Sequence, residues 1–141
     1  MRFYTSKGKN KEMVAFSDRE WSIADKNHFG KSGRWIEDVH YIRAVDDNVI
    51  LGILHYCIKA GVMEIVSIVV SHSMHRQGIG RALIEKAEKI AKQKGVHKIF
   101  LTTGVGWDAI NFYEKLGYQN TGELKKHYLM QDWLIFSKEL K

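Results

Sequence analysis

The sequence predicts an α/β domain of the mixed α+β kind, in which helices flank one central, mostly antiparallel sheet. Three observations predict it: an almost continuous β-branched run, a helical repeat that follows this run after a glycine turn, and an earlier pair of strands joined by a tight turn. With 141 residues, 45% of them hydrophobic, the chain is long enough for one packed core. We therefore expect a single domain over residues 1–141.

The first half of the chain is expected to hold one helix and a meander of three strands. Residues 17–20 (Ser-Asp-Arg-Glu) have the pattern of a capping box, so a first helix is predicted to begin there and to end before a loop at residues 27–34. Two apolar runs flank Asp46-Asp47-Asn48, which predicts a hairpin. The predicted elements are strands at residues 40–45 and 49–58, a turn at 59–61 and a strand from Glu64.

The second half alternates strands with helices. The run Ile65, Val66, Ile68, Val69, Val70 is typical of a strand buried on both faces. After Gly80, apolar residues recur at helical spacing, and Gly95 provides the stop. We further expect a strand at residues 98–103, a short helix at about 107–116 closed by Gly117, and one or two strands within 126–139.

The turn between the β-branched run and the helix is predicted to bind an anion. It reads Arg76-Gln77-Gly78-Ile79-Gly80-Arg81. Two glycines let the backbone approach a ligand closely, and the first amides of a helix have no intrahelical acceptor. Together with the helix dipole and the flanking arginines, they favour negative charge at this point. The expected ligand is a phosphate.

Composition narrows the function classes. The net charge of +6, from 22 basic and 16 acidic residues, suits an anionic ligand without choosing among a nucleotide, a nucleic acid and an acidic peptide. The sequence lacks a basic patch interleaved with aromatic residues, which argues against a nucleic-acid partner. We see no secretory pattern in residues 1–10, and the longest apolar run, residues 49–58, is too short for a membrane span. A single cysteine, Cys57, fits a reducing cytoplasm.

Two motifs resemble those of the GNAT superfamily of acetyl-CoA-dependent N-acetyltransferases. The family's cofactor motif runs from a central strand through Arg/Gln-x-x-Gly-x-Gly/Ala into a helix, and residues 75–80 (HRQGIG) are similar to it. The family's second motif places an alanine, a tyrosine and a glycine-aromatic pair on a short helix, and residues 109–118 (AINFYEKLGY) are similar to that. Both stand in the family's order and at its separation, within a resemblance that covers roughly residues 40–140.

The resemblance implies a GNAT-like acyl-CoA N-acyltransferase fold, acetyl-CoA as the acetyl donor, and transfer to an amine. His75 and Gly106 depart from the family pattern, which usually has arginine or glutamine at the first position and often asparagine at the second. The residues that the resemblance places on the donor are Ile68, Val69, Val70, His75, Arg76, Gln77, Gly78, Ile79, Gly80, Arg81, Gly106 and Ala109.

The same resemblance assigns catalytic roles. Tyr113 matches the family's general-acid tyrosine; the alternative is a half-buried aromatic that packs the short helix onto the sheet. Glu64 lies fourteen positions before Gly78, where some members have a base. A glutamate at the solvent-facing end of a strand, with a water chain as the base, is the alternative. Leu101 occupies about the position where other members have a base glutamate.

Three other functions fit parts of the sequence less well. Residues 104–109 spell G-x-G-x-x-A, the dinucleotide fingerprint, but too little chain follows to build a doubly wound sheet. His72 and His75 are three residues apart without a third ligand at a convincing spacing, so no metal is expected. The strongest rival is a non-catalytic acyl-CoA-binding or sensing module on the same fold, which would bind the donor without releasing a thiol.

The acceptor is not determined by the sequence. The resemblance places it against the loop after the first helix, about residues 27–35, and against the last strands, about residues 126–133. A protein N-terminus, a lysine side chain, a polyamine and an aminosugar all stay open. An exposed edge of the last strands would allow a homodimer, and neither a nucleic-acid nor a membrane partner is expected.

Overall fold

The computed structural model describes residues 1–33 and 35–141, in two compact units, Met1–Trp35 and Ile36–Lys141. Arg34, which belongs to the loop predicted after the first helix, lies outside the described residues. The single domain expected over residues 1–141 stays a prediction. No helix in the described parts of the chain combines the length and the apolar character that crossing a membrane requires.

The first unit is built on one helix, α1, Lys11–Phe29. Its start at residue 17 was predicted wrongly, because Asn10 caps the helix earlier: its side-chain oxygen accepts from the amide of Met13 at 2.9 Å. Ser17 lies in the helix interior, and no proline or glycine interrupts the chain between the cap and this serine. The helix also extends to Phe29, beyond the predicted loop start, and ends at Gly30 with a φ of 71°.

A buried carboxylate orders the chain after α1. Asp25 is 4% exposed and accepts hydrogen bonds from the amide of Gly33 at 3.0 Å and from the indole nitrogen of Trp35 at 2.9 Å. Because a buried carboxylate is costly without donors, these two bonds hold Gly33 and Trp35 to the helix within the first unit.

The second unit is one six-stranded sheet with two helices. The strand order is β1-β2-β3-β4-β6-β5, and within the described residues only β3 and β4 pair in parallel. The predicted mixed, mostly antiparallel sheet is confirmed. The elements are β1 Asp38–Asp46, β2 Val49–Lys59, β3 Val62–Val70, α2 Ile79–Gln93, β4 Lys98–Gly104, α3 Ala109–Lys115, β5 Gln119–Leu124 and β6 Trp133–Glu139.

Two tight turns connect the first three strands. Asp47 and Asn48 have φ values of 45° and 63°, and Ala60 and Gly61 have values of 51° and 81°. Two consecutive positive values are the signature of the primed turn that suits the twist of a hairpin. Both predicted turns are confirmed.

The prediction for the last strands was partly wrong, since β5 begins at Gln119, before the expected range. This strand is a polar, largely exposed edge strand without an alternating apolar pattern.

The core lies between the sheet and one face of α2. The helix buries Leu83, Ile84, Ala87 and Ala91, which recur at helical spacing. The sheet residues of the same core are Leu54, Tyr56, Met63, Ile65, Ile99, Leu101 and Phe136. The expectation that β3 is buried on both faces was wrong: Val66 is 46% exposed because it lies at an irregularity of the strand and borders a cleft, and Val69, which does not line that cleft, is 59% exposed.

A polar network joins α2 to β6 and to the residues that follow α3. The ammonium group of Lys138 donates to both carboxylate oxygens of Glu88, at 3.0 and 3.1 Å, and to the carbonyl of Leu116 at 2.8 Å. The hydroxyl of the fully buried Tyr118 donates to Glu88 at 3.2 Å. Since the Glu88 side chain is only 13% exposed, this carboxylate depends on both donors.

We expect Lys138→Met to lower the free energy of unfolding by about 2 kcal/mol, because it removes three hydrogen bonds and leaves the Glu88 carboxylate without its cation. Urea unfolding monitored by circular dichroism measures the change. Lys89→Met, on the exposed side of the same helix, is the control and should change the free energy of unfolding by less than about 0.5 kcal/mol. Equal losses for the two variants would contradict a stabilising role for the network.

Candidate active site

The centre of the sheet is split. β3 and β4 pair through three residues only, the last being Glu64 opposite Phe100, although the strands run on to Val70 and Gly104. On its other side β3 stays paired with β2, with a register shift that leaves Val66 as an extra residue between Ile65 and Ser67. A bulge of this kind bends the strand that contains it. The two strands therefore part after Glu64, and a wedge opens between them.

The wedge is the core of a cleft of about 1040 Å³ in the second unit. Its lining comes from β3, β4, the turn before α2 and the start of that helix, the turn before α3 and that helix itself, and the first residue of β6. Of the residues predicted from the sequence, those that line it are Ile68, Val70, His75, Arg76, Gly78, Ile79, Gly80, Arg81, Ala109 and Tyr113. Glu64, Val69, Gln77 and Gly106 do not line it.

The start of α2 offers free backbone donors to this cleft. Gly78 precedes the helix with a φ of 80°, and a Cβ atom there would meet no heavy atom within 4 Å. Among the described residues, no group accepts a hydrogen bond from the amides of Ile79, Gly80 or Arg81, and the first backbone bond of the helix joins Ala82 to Gly78. Unpartnered amides at a helix start, with Arg76 and Arg81 beside them, are an arrangement that can bind an anion.

His75 is fixed by a backbone contact. Its Nε2 lies 3.1 Å from the carbonyl oxygen of Val70, and because a carbonyl can only accept, this nitrogen donates. The ring also stacks on His72, with centroids 5.0 Å apart. His75 stands where the family has arginine or glutamine. One of its ring nitrogens hydrogen-bonds the end of β3, and this bond connects the glycine turn to that strand.

Tyr113 lies on α3 with its ring buried and its hydroxyl free. The residue is 6% exposed, and its ring makes edge contacts with Phe112 and Tyr118 at centroid distances of 5.2 and 6.0 Å. No described residue hydrogen-bonds the Tyr113 hydroxyl. Every side-chain polar atom that is sealed from solvent in the described part of the chain has a hydrogen-bond partner, so the Tyr113 hydroxyl, which has none, is accessible to solvent. The hydroxyl therefore opens into the cleft. Burial raises the pKa of Tyr113 above its ordinary value of 10.0, so the phenol keeps its proton at neutral pH.

Tyr118, five residues later, differs from Tyr113 because its hydroxyl already has a hydrogen-bond partner. Its ring is 2% exposed, and its hydroxyl is already bound to Glu88. Burial, and then the neighbouring carboxylate, raise the pKa of Tyr118 far above its ordinary value. This tyrosine does not line the cleft, so the two phenols of the same motif differ in what their hydroxyl groups can reach.

Glu64 lies at the apex of the wedge. It is the last β3 residue paired with β4, its side chain is half-buried, and its partners across the sheet are Cys57 on β2 and Phe100 on β4. Glu64 is not among the residues that line the cleft, and a carboxylate at this position can act on a group in the cleft through an intervening water.

Several lining residues were not predicted individually. Trp107 and Trp133 line the cleft with their ring centroids 5.0 Å apart, which brings together two of the four tryptophans scattered in the sequence. Trp133 is the last residue of the range 126–133 in which the resemblance placed acceptor contacts, and Trp107 lies outside that range. The pairing of Gly104 with Trp133 makes them neighbours, and no local pattern reveals that register. The other polar or aromatic lining residues missed are Ser67, Thr102, Thr103, Asp108, Asn111, Phe112 and Lys115.

A family model described as the Acetyltransferase (GNAT) family matches residues 9–118, more than half of the chain. The chain belongs to the acetyltransferase (GNAT) family. This confirms the resemblance that the two motifs indicated. For this GNAT-family chain, an uncharacterized N-acetyltransferase CT2212 of Chlorobaculum tepidum is 36% identical over 80 residues, which cover 56% of the chain and 45% of that relative. The chain thus spans about half the length of the relative.

Solved structures agree with the family fold. An acetyltransferase from Bacillus cereus has a TM-score of 0.73 at 20% identity, covering 97% of this chain and 98% of that one. PaiA N-acetyltransferase from Thermoplasma acidophilum, solved in complex with coenzyme A, has a TM-score of 0.67 at 20% identity, covering 94% of this GNAT-family chain and 80% of that one. At these identities the likeness shows the fold alone, and it confirms the GNAT-like sheet flanked by helices.

Proposed function

We propose that this protein is an N-acetyltransferase that moves the acetyl group of acetyl-CoA to a primary amine by direct attack on the thioester. The observation that supports it most is the free Tyr113 hydroxyl in a cleft that begins at three unpartnered helix amides. Family membership supports acyl transfer, and the coenzyme A complex of a protein with the same fold supports the donor. A cytoplasmic location is part of the proposal, because the single cysteine suits a reducing compartment.

The residues present fit the donor. The amides of Ile79, Gly80 and Arg81, with Arg76 beside them, would bind its phosphates. The unpaired edge of β3 would hydrogen-bond the amide groups of its extended arm, as an added strand does. When bound, the donor supplies an activated acetyl group, whose carbonyl carbon is open to a nucleophile.

The protein's own groups meet the three demands of the transfer. A base takes a proton from the amine, so that its nitrogen can form the new C–N bond. Backbone N–H groups of β3 near Val70 stabilise the negative charge that develops on the carbonyl oxygen. As the C–S bond breaks, Tyr113 donates its proton to the departing sulfur, which leaves as the thiol. For the base we propose Glu64, acting through water from the apex of the wedge.

Thiol release tests the proposal. We expect acetyl-CoA to raise the thermal midpoint of the protein and a primary amine to cause release of free thiol in proportion to acetylated product. At a hundred times its dissociation constant, a ligand stabilises the folded state by about 2.7 kcal/mol. Stabilisation by acetyl-CoA without thiol release from any amine would instead support a non-catalytic acyl-CoA-binding module. Stabilisation by NAD alone would contradict the donor.

Glu64→Gln is expected to lower kcat about tenfold, because the amide cannot take the proton that the amine loses on attack. Initial rates of thiol release at saturating donor and amine measure kcat. Glu114→Gln, exposed on α3, is the control and should keep the wild-type kcat. A kcat for Glu64→Gln equal to that of the control would assign the base to water.

A further inference from the structure

Three aromatic residues meet where β4 ends and β6 begins. Trp107 and Trp133 pack edge to face, with centroids 5.0 Å apart and planes at 66°. Tyr128 packs against Trp133 at 5.3 Å and 89°, and its carbonyl accepts from the indole nitrogen of Trp133 at 3.1 Å. We refer to Trp107, Trp133 and Tyr128 as the aromatic corner. Two of the three line the cleft, so the corner is part of its wall.

The aromatic corner leaves a large apolar surface open to solvent. Trp107 is 53% and Tyr128 58% exposed, and the surface continues onto Leu129 and Met130, which are 91% and 69% exposed. Exposed apolar surface of this extent beside a cleft is typical of a binding surface. Aromatic side chains also bind flat or apolar groups with little loss of conformational entropy, since they have only two rotatable bonds.

Gly104 makes room for the indole of Trp107 in the aromatic corner. A Cβ atom at Gly104 would lie 2.2 Å from Cε2 of Trp107, so the indole rests directly on the backbone of this residue. Gly104 has no positive φ that would demand glycine for backbone reasons. The absence of a side chain at this position therefore serves the placement of the indole.

The charges of the cleft disfavour an acceptor with several positive groups. Its lining contains three permanent cations, Arg76, Arg81 and Lys115, and one carboxylate, Asp108. Recognition of a polyamine, or of an aminosugar with more than one amino group, is favoured by a carboxylate near each additional ammonium group. Phosphates bound at the start of α2 would neutralise the arginines without adding a carboxylate beside the aromatic corner.

We propose that the acceptor is a primary amine on an aromatic or bulky apolar group without a second positive charge, and that the aromatic corner binds that group. This inference rests on the proposed function and narrows its acceptor. Two sources share the chemistry: a free arylalkyl amine, and the amino terminus of a peptide whose first residue is aromatic. In both, the apolar group lies against Trp107 and Trp133 while the amine faces the acetyl carbon.

Three probes compare the acceptor classes: 2-phenylethylamine, a tripeptide amide with N-terminal phenylalanine, and spermidine. At saturating acetyl-CoA, we expect kcat/KM for at least one of the two aromatic amines to exceed that for spermidine by tenfold or more. The ratio between the two aromatic amines identifies the source. A kcat/KM for spermidine equal to or above both would overturn the proposal.

Variants of the aromatic corner test whether it binds the aromatic group of the acceptor. Trp107→Ala is expected to lower kcat/KM for the preferred aromatic amine at least tenfold and to leave the Kd of coenzyme A unchanged. Gly104→Ala should have a similar effect by displacing the indole, and no further effect when Trp107 is already alanine. Tyr41→Ala, an exposed aromatic on β1 outside the cleft, is the control and should keep wild-type kinetics. Unchanged kinetics in Trp107→Ala would overturn the assignment.

The failure of this inference differs from the failure of the proposed function. Thiol release with spermidine alone overturns the inference and leaves the acetyltransferase proposal intact. If no amine releases thiol, the proposed function is contradicted. Quenching of tryptophan fluorescence then still tests whether the aromatic corner binds an aromatic amine. Saturable quenching by 2-phenylethylamine in the presence of coenzyme A, absent in Trp107→Ala, supports the site; a linear, unsaturable response overturns it.

Discussion

Replacing Tyr113 with phenylalanine is expected to lower kcat about a hundredfold while the Kd of acetyl-CoA stays within about twofold of the wild type. The hydroxyl has no partner among the described residues and opens into the cleft, so its loss removes a proton donor without leaving a buried group unpaired. Stopped-flow or steady-state thiol release gives kcat, and calorimetric titration gives the Kd.

Tyr118→Phe is the matched control for that experiment. It removes a hydroxyl from the same short segment, but this hydroxyl donates to Glu88 at 3.2 Å and does not line the cleft. The control should lose about 1 kcal/mol of its free energy of unfolding and keep its kcat.

The pH dependence of kcat gives a second test. Because burial raises the pKa of Tyr113 above 10.0, the decrease of the wild-type kcat at alkaline pH should occur above that value. A kcat for Tyr113→Phe equal to that of the control would rule out the general-acid role.

Gly78→Val is expected to weaken coenzyme A binding by about thirtyfold or more. The φ of 80° at this residue is unfavourable for any side chain and most of all for a β-branched one, so the turn must shift to relieve strain. A shift there reorients the free amides of Ile79 and Gly80, whose value as phosphate donors depends on their direction. Calorimetric titration with coenzyme A measures the loss.

The other end of α2 offers a control with the same strain. Gly95 has a φ of 73°, and a Cβ atom there would also meet nothing within 4 Å. Gly95→Val should therefore cost a similar free energy of unfolding, about 1–2 kcal/mol, and leave coenzyme A affinity unchanged. Comparing the two separates the loss of the phosphate site from general destabilisation. Equal affinities in the two variants would mean that the glycine turn does not bind the donor.

Much of the fold could be predicted because local chemistry determines it. Asp47 and Asn48 tolerate the positive φ values of a tight turn, and Gly95 does the same at the end of α2. These residues mark element boundaries that no distant contact needs to enforce. The start of α1 was misplaced because the capping box at residues 17–20 competes with a single capping asparagine, Asn10, and sequence alone does not rank the two.

The cleft was less predictable because it depends on pairings between distant segments. The glycine turn and the Tyr113 motif are each local, and the structure brings both to one cleft. The wedge depends on the bulge at Val66 and on the loss of pairing after Glu64, which no residue type announces. The aromatic corner depends on the register that sets Trp133 opposite Gly104. Such registers are properties of the whole sheet.

The split between β3 and β4 gives this sheet a second pair of edges in its interior. Exposed strand edges ordinarily invite pairing with other chains, and proteins protect them by keeping them short, bent or covered. Here the unpaired stretch of β3 is only six residues long, it begins with a bulge, and helix starts and aromatic side chains enclose it. An edge this short and enclosed leaves little room for a strand from another protein. Under the proposed function, the chain that pairs with it is the slender, unbranched arm of the donor, whose own amide groups supply the missing hydrogen bonds.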